Sequence, residues 1–253
     1  EQWALDRANV DEAWEYLESE GHPAWGDRNI VIAVIDSGVD YTHEDLAGNM
    51  WVNAGEIPDN GQDDDNNGFV DDVYGADVVG STYDHDGDPQ DDNGHGTHVA
   101  GIIAAQGNNG IGIIGVAPNA QIMAIKAAQY SGVLTTADIA EGIYYAVDNG
   151  ADVINMSFGG YGRSQVEEDA LALAYSQAML VAAAGNDRLF NQPCPILGAP
   201  MYPAAHPWVV GVMASTSIGK RAGFSNRECI TKNALEYELL APGVAIWSTL
   251  PDG

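Results

Sequence analysis

The stretch "IVIAVIDSGVD", residues 30–40, decides how the rest of the chain is read. Six apolar residues, most of them β-branched, run without alternation into Asp36, Ser37 and Gly38. A run this short and this evenly apolar reads as a strand covered on both faces. Working outward, "QIMAIK" (121–126), "DVINM" (152–156), "MLVAAA" (179–184) and "WVVGV" (208–212) repeat the pattern. Helix-period segments lie between them. In 136–149, Ile139, Ile143, Ala146 and Val147 share one face, and Gly150 follows as a stop. Ser164 and Glu167 have capping-box spacing ahead of Leu171, Tyr175 and Ala178. The alternation predicts an α/β fold: a doubly wound, mostly parallel sheet with helices on both faces. Such sheets gather their chemistry at the carboxyl ends of the strands. The last stretch, "YELLAPGVAIWSTLPDG" (237–253), reads as a buried strand, a Pro-Gly turn, a second strand and a loop just begun.

No repeat and no Ser/Pro-rich linker divides the chain, so residues 1–253 are expected to form a single domain, incomplete at its C-terminus. Nine basic residues against 37 acidic ones give a formal net charge of −28. Such a surface repels phosphate backbones and anionic lipid, which argues against nucleic-acid and membrane-surface partners. It suits calcium, a saline medium, or both. No apolar run reaches the roughly 18–20 residues of a membrane span. Cys194 and Cys229 are too few for a disulfide framework, and one bridge or two free thiols are equally compatible with the sequence. The chain starts at Glu1 without a visible signal peptide, so its natural start is expected to have been removed or to lie outside the sequenced stretch.

Three clusters carry candidate chemistry. Asp36 is a carboxylate at the end of a buried strand, with a turn-permitting glycine two residues on. "DDNGHGTHVAGIIAA" (91–105) sets His95 between glycines, immediately before a helix of small residues. His95 and His98 lack the third ligand and the spacing of a zinc site. "VAAAGNDR" (181–188) ends an apolar strand in Gly185-Asn186, where a side-chain amide could donate to an oxygen gaining negative charge. A fourth cluster concerns cations. In "DDDNNGFVDD" (63–72), Asp63, Asp65, Asn67, Phe69 and Asp71 alternate around the turning Gly68, the spacing of a loop that wraps oxygen ligands around Ca²⁺. Position 12 of such a loop is Tyr74 rather than Glu, and Asp72 is a candidate for the remaining carboxylate.

Taken together, the segments resemble the subtilisin-like serine proteases, or subtilases. "VIAVIDSGVDYTHEDL", "NGHGTHVAGIIAA", "ADVINMSFGG", "VAAAGN", "YPAAHPWVVGVMAS" and "ELLAPGVAIWSTLP" follow the family's order over nearly the whole chain. The resemblance implies that Asp36 orients His95, that His95 is the general base and acid, and that Asn186 is the oxyanion donor. It also implies that Ser157, Phe158 and Gly159 form one substrate rail, and that Tyr130, Ser131 and Gly132 form the other. Asp187 would lie near the rim of the primary pocket, where it could favour a basic side chain. Asp45 with Asn109 would form a tight calcium site, and Glu238 with carbonyls around Ala204, His206 and Val209 a weaker one.

The family's nucleophile sits in a Gly-Thr-Ser segment that this chain does not contain, a short loop beyond "STLP". Ser37, Ser157, Ser225 and Ser248 match non-catalytic family positions. The expectation is therefore an exported, monomeric, calcium-binding serine endopeptidase domain acting on polypeptides, preceded by a pro-segment, with its serine beyond Gly253. The 253-residue chain by itself is expected to be inactive. Two other readings are a relative that binds extended peptides without cleaving them, and a calcium-dependent structural module.

Overall fold

The computed structural model describes residues 2–80, 86–187, 200–227 and 237–251. Cys194 and Cys229 lie outside the described residues. Seven strands form one parallel sheet: β1 (Val31–Asp36), β2 (Gly75–Asp77), β3 (Gln121–Lys126), β4 (Val153–Met156), β5 (Met179–Ala183), β6 (Val209–Ser215) and β7 (Leu239–Pro242). Their spatial order is β2-β3-β1-β4-β5-β6-β7. β1 is central, with Asp36 opposite Lys126 of β3 and Ile35 opposite Met156 of β4.

The apolar run that opened the reading is buried at every position of β1 because both its faces are covered. Ala33 and Ile35 face one core with α4 (Thr136–Asp148) and α5 (Gln165–Ala174). Ile32 and Val34 face the other with Ala100 and Ala104 of α3 (His95–Ala104). α1 (Trp3–Ala8) and α2 (Val10–Ser19) precede the sheet. After β1 the chain builds β2 and β3 on one side, then crosses to β4 on the other. That reversal opens a crevice at the carboxyl end of β1, where Asp36 sits.

Local signals agree with the elements. Thr135 caps α4 by accepting from the Asp138 N–H, and Gly150 follows it at φ +76°. One expectation fails. β7 is not a buried strand, for Leu239 and Leu240 are exposed, and residues 244–247 do not form a second strand. β7 is the last strand of the sheet and pairs only with β6 among the described residues.

The segment after β7 packs on α3 instead. Ser248 Oγ donates to the His98 carbonyl at 2.6 Å, and Thr249 Oγ1 to that of Thr97 at 2.7 Å. A Cβ on Gly101 would lie 2.2 Å from Thr249 Oγ1 and 2.4 Å from Ser248 Oγ. Gly101→Ala therefore sets a helix-propensity gain of about 1 kcal/mol against a clash and two disturbed hydrogen bonds. The clash is expected to win, with net destabilisation of about 2 kcal/mol by urea denaturation; a stabilised variant would contradict this packing.

Candidate active site

His95 is the first residue of α3, and Gly94 before it has φ +101°. Gly96 lets the helix start touch the strand end: a Cβ there would sit 2.0 Å from the Gly38 carbonyl. With the two elements this close, His95 Nδ1 lies 2.7 Å from Asp36 Oδ1. Asp36 is buried, whereas the His95 side chain is 55% exposed. The Ser37 N–H also donates to Asp36 Oδ1 at 2.8 Å, while Asp36 Oδ2 is buried without a hydrogen-bond partner. The hydrogen bond to Asp36 raises the His95 pKa above its ordinary value, outweighing the opposing effect of burial.

A residue the sequence reading missed fixes this geometry. The buried Asp91 accepts at Oδ1 from Ser37 Oγ (2.9 Å), Asn93 N (3.0 Å) and Gly94 N (2.9 Å). At Oδ2 it accepts from Thr97 N (2.9 Å) and Thr97 Oγ1 (2.6 Å). Ser37 Oγ in turn accepts from the Gly96 N–H at 2.9 Å. Asp91 thus ties the turn after β1 to the turn that starts α3. The signal was present in "DDNG", an Asp followed by turn residues whose N–H groups need an acceptor.

A cleft of about 500 Å³ adjoins the pair. Asp36 and His95 line it together with Gly132, Ser157, Phe158 and Gly159, so four of the six expected rail residues meet the Asp–His pair, and Tyr130 is not among them. Ser131 is exposed and lies outside that lining. Gly159 is forced by Met201, whose Cγ would sit 2.7 Å from an added Cβ. Asn186 follows β5 on the same edge of the sheet as Asp36, and its side chain is exposed. Its neighbours are held by Asn226, whose N–H donates to the Gly185 carbonyl (2.8 Å) and whose Oδ1 accepts from Asp187 N (3.1 Å). Asp187 Oδ2 accepts from Tyr161 OH at 2.5 Å.

The hydroxyls of the four serines named above have partners other than His95. Ser37 bonds Asp91, Ser248 bonds the His98 carbonyl, Ser225 bonds the Asn226 carbonyl, and Ser157 Oγ accepts from Asn155 Nδ2.

In the acidic loop, Glu56, Asp65 and Asp72 each bring a carboxylate oxygen within 4.8 Å of the others. Glu56 was not foreseen, and its buried Oε2 has no hydrogen-bond partner. Asn67 Nδ2 donates to both Asp65 and Asp72, and Tyr145 OH donates to Asp72 Oδ2 at 2.5 Å. Burial pushes the Asp72 carboxyl up to about 6. Three clustered carboxylates and an orphaned oxygen fit a hard cation. Two expected ligands lie outside that cluster: Asp63 accepts from Asn67 N and Gly68 N, and Asp71 from Asn60 N and Gly61 N. Phe69 is buried edge-on against Tyr145.

At the second cation candidate, Asn109 Nδ2 reaches Asp45 Oδ1 at 2.6 Å, and Ile113 N donates to Asp45 Oδ2. Gln2, also unforeseen, docks on the same loop through both the N–H and the carbonyl of Ile114. At the third, Glu238 Oε2 is taken by the Gly211 N–H at 2.6 Å.

A histidine held by a buried carboxylate at the switch point of a parallel sheet, beside a cleft, is an arrangement that can take up and return a proton. The chain belongs to the subtilase family (Peptidase S8), whose model matches residues 27–252. It is 36% identical over 250 residues to the thermophilic serine proteinase of Bacillus sp. (strain AK1), covering 98% of this chain and 51% of that protein. It is 36% identical over 237 residues to subtilisin E of Bacillus subtilis (strain 168), covering 94% and 52%. With subtilisin-like protease 1 of Plasmodium berghei (strain Anka) it shares 42% identity over 158 residues, 62% of this chain and 25% of that protein. The chain thus spans between a quarter and about half the length of these relatives.

Two variants test the geometry. Asp36→Asn removes the charge that favours the imidazolium, so the His95 ring is expected to titrate about one pH unit lower by NMR. A pKa raised by folding stabilises the native state fully below the ordinary histidine value of about 6.5, and that stability fades as pH rises through the raised value. Asp36→Asn should therefore cost more stability at pH 5 than at pH 9. An unmoved His95 titration would break the coupling. Asp91→Ala leaves five donors without their acceptor and is expected to cost about 3 kcal/mol in urea unfolding.

Proposed function

We propose that this chain supplies the acid–base pair, the oxyanion donor and the substrate cleft of an exported, calcium-stabilised serine endopeptidase. The observation that carries the reading is the 2.7 Å contact between His95 Nδ1 and the buried Asp36, on the wall of the cleft that holds Ser157, Phe158 and Gly159. With Nδ1–H donated to Asp36, the other ring nitrogen is left as the base. It takes the proton of a serine hydroxyl as that oxygen attacks the scissile carbonyl, then returns it to the leaving amine. Asp36 stabilises the imidazolium between the two transfers. Asn186 donates to the oxyanion, a contact worth roughly 2.7–4 kcal/mol in the transition state of related chemistry.

The nucleophile in this reading lies beyond Gly253. Leu250 and Pro251 lie against Gly94, next to His95, where a Cβ on Gly94 would be 3.5 Å from Pro251 Cδ. The partner is an extended polypeptide read largely by main-chain hydrogen bonds along the rails. A monomer with a pro-segment completes the picture. The net charge of −28 works against nucleic-acid or membrane partners. Among the described residues, no helix is long and apolar enough to cross a membrane.

Calcium fits the donor chemistry. Asp65, Asp72 and Glu56 with Asn67 would hold one ion, relieving the repulsion among the carboxylates. Asp45 with Asn109 would hold a second, and Glu238 is the candidate for a weaker third. Binding only to the native state at 100 times Kd is worth about 2.7 kcal/mol per site, so excess chelator is expected to lower Tm by roughly 5–10 °C per site lost. An unchanged melt would rule out structural calcium.

The hydrolytic reading is tested with extended fluorogenic peptides. The complete protein should cleave them and lose at least about 1000-fold in kcat on His95→Ala, while residues 1–253 alone should not. Full turnover without His95 would sink the reading.

A further inference from the structure

Glu167 is the third residue of α5, where Ser164 caps the helix by accepting from the Glu167 N–H. In a closed capping box the glutamate side chain would turn back to the serine N–H. Here it turns inward instead. Glu167 is only 4% exposed, its Oε1 makes no hydrogen bond, and that atom lies 3.8 Å from His206 Nε2, which is equally without a partner. His206 is enclosed between Tyr202 and Trp208, and burial lowers its pKa below the ordinary histidine value, which disfavours its charged form. Burial likewise pushes the Glu167 carboxyl up to about 7.

A buried carboxylate without a cation is costly, and a leucine on this helix face would avoid the cost. Yet Glu167 lines the same cleft as His95, beside Leu134, Thr136, Ile139 and Phe158. An apolar wall with one unpaired carboxylate at its base matches a long cationic side chain, whose stem packs on the wall and whose head reaches the charge. We propose that Glu167 is a specificity-determining residue of the cleft, receiving the ammonium or guanidinium of one Lys or Arg side chain of a bound extended peptide. Leu134, Ile139 and Phe158 cover the stem of that side chain. The inference rests on the reading of the cleft as a peptide site, and it concerns a carboxylate distinct from Asp187, which Tyr161 already engages.

The test is binding of fluorescent eight-residue peptides to the purified chain at pH 8, read by anisotropy. Each peptide carries Lys, Met or Glu at one position in turn on an otherwise constant sequence. At one position Lys should bind about tenfold tighter than Met, with Glu weakest. Glu167→Gln should abolish that preference, and Glu167→Leu should invert it in favour of Met. Thermal melts check that both variants fold. Equal binding of Lys and Met at every position would overturn the proposal, as would a Lys preference that survives both substitutions, or no binding of any peptide. Turnover of the same peptides by the complete protein is scored separately: a Glu167-dependent preference without cleavage upholds this assignment and rejects the hydrolytic reading.

Discussion

The arrangement at the mouth of the sheet depends on a single buried carboxylate, that of Asp91. It accepts from both ends of a small polar cage: from Ser37 in the turn leaving β1, and from Asn93, Gly94 and Thr97 around the start of α3. The 2.7 Å approach of His95 to Asp36 is the consequence. A half-exposed histidine facing one carboxylate would have many rotamers available to it, and one hydrogen bond is worth too little to hold such a ring in place. Fixing the backbone on either side of it restricts those choices before the pair forms. Gly96 is the second half of the constraint, because any side chain there would push the helix off the Gly38 carbonyl.

Charge is the other organising theme. With 37 acidic residues against nine basic ones, carboxylates must find neutral donors, cations from solvent, or isolation. Asp91 finds donors. The Glu56, Asp65 and Asp72 group is partly satisfied by Asn53, Asn67 and Tyr145, and still leaves a buried oxygen without a partner. Glu167 is isolated in the cleft wall. These are three outcomes of one composition: a carboxylate that positions backbone, a candidate cation site, and the carboxylate proposed to select a side chain.

The central sheet was legible because β1, β3, β4, β5 and β6 are apolar runs without alternation, although only β1 and the interior of β3 are buried throughout. β7 misled for the same reason. Leu239 and Leu240 look like core residues in sequence, but cover depends on neighbours that sequence spacing does not supply. Asp36 and His95 were legible from the end of a strand, a glycine-flanked histidine and the family pattern. Four of the five donors to Asp91 are local, from Asn93, Gly94 and Thr97, and what local spacing could not show is the bond to Ser37, 54 positions away, which ties the two turns together. Glu167 was read correctly as a capping residue through its backbone and missed as a buried charge, since local spacing is silent about where a side chain turns. In the acidic loop the alternation pointed to Asp63, Asp65, Asp71 and Asp72, of which Asp65 and Asp72 cluster with the unforeseen Glu56, while the carboxylates of Asp63 and Asp71 accept backbone N–H groups of nearby turns.

The central claim is that the Asp36–His95 pair exists to activate a serine that follows Pro251. The most direct measurement treats the complete protein with a fluorophosphonate reagent and maps the modified residue by mass spectrometry, with His95→Ala alongside. One serine C-terminal to Pro251 should be labelled in the native protein and spared in the variant. Labelling at Ser37, Ser157, Ser225 or Ser248, or no labelling of a folded protein with His95 intact, would contradict the account.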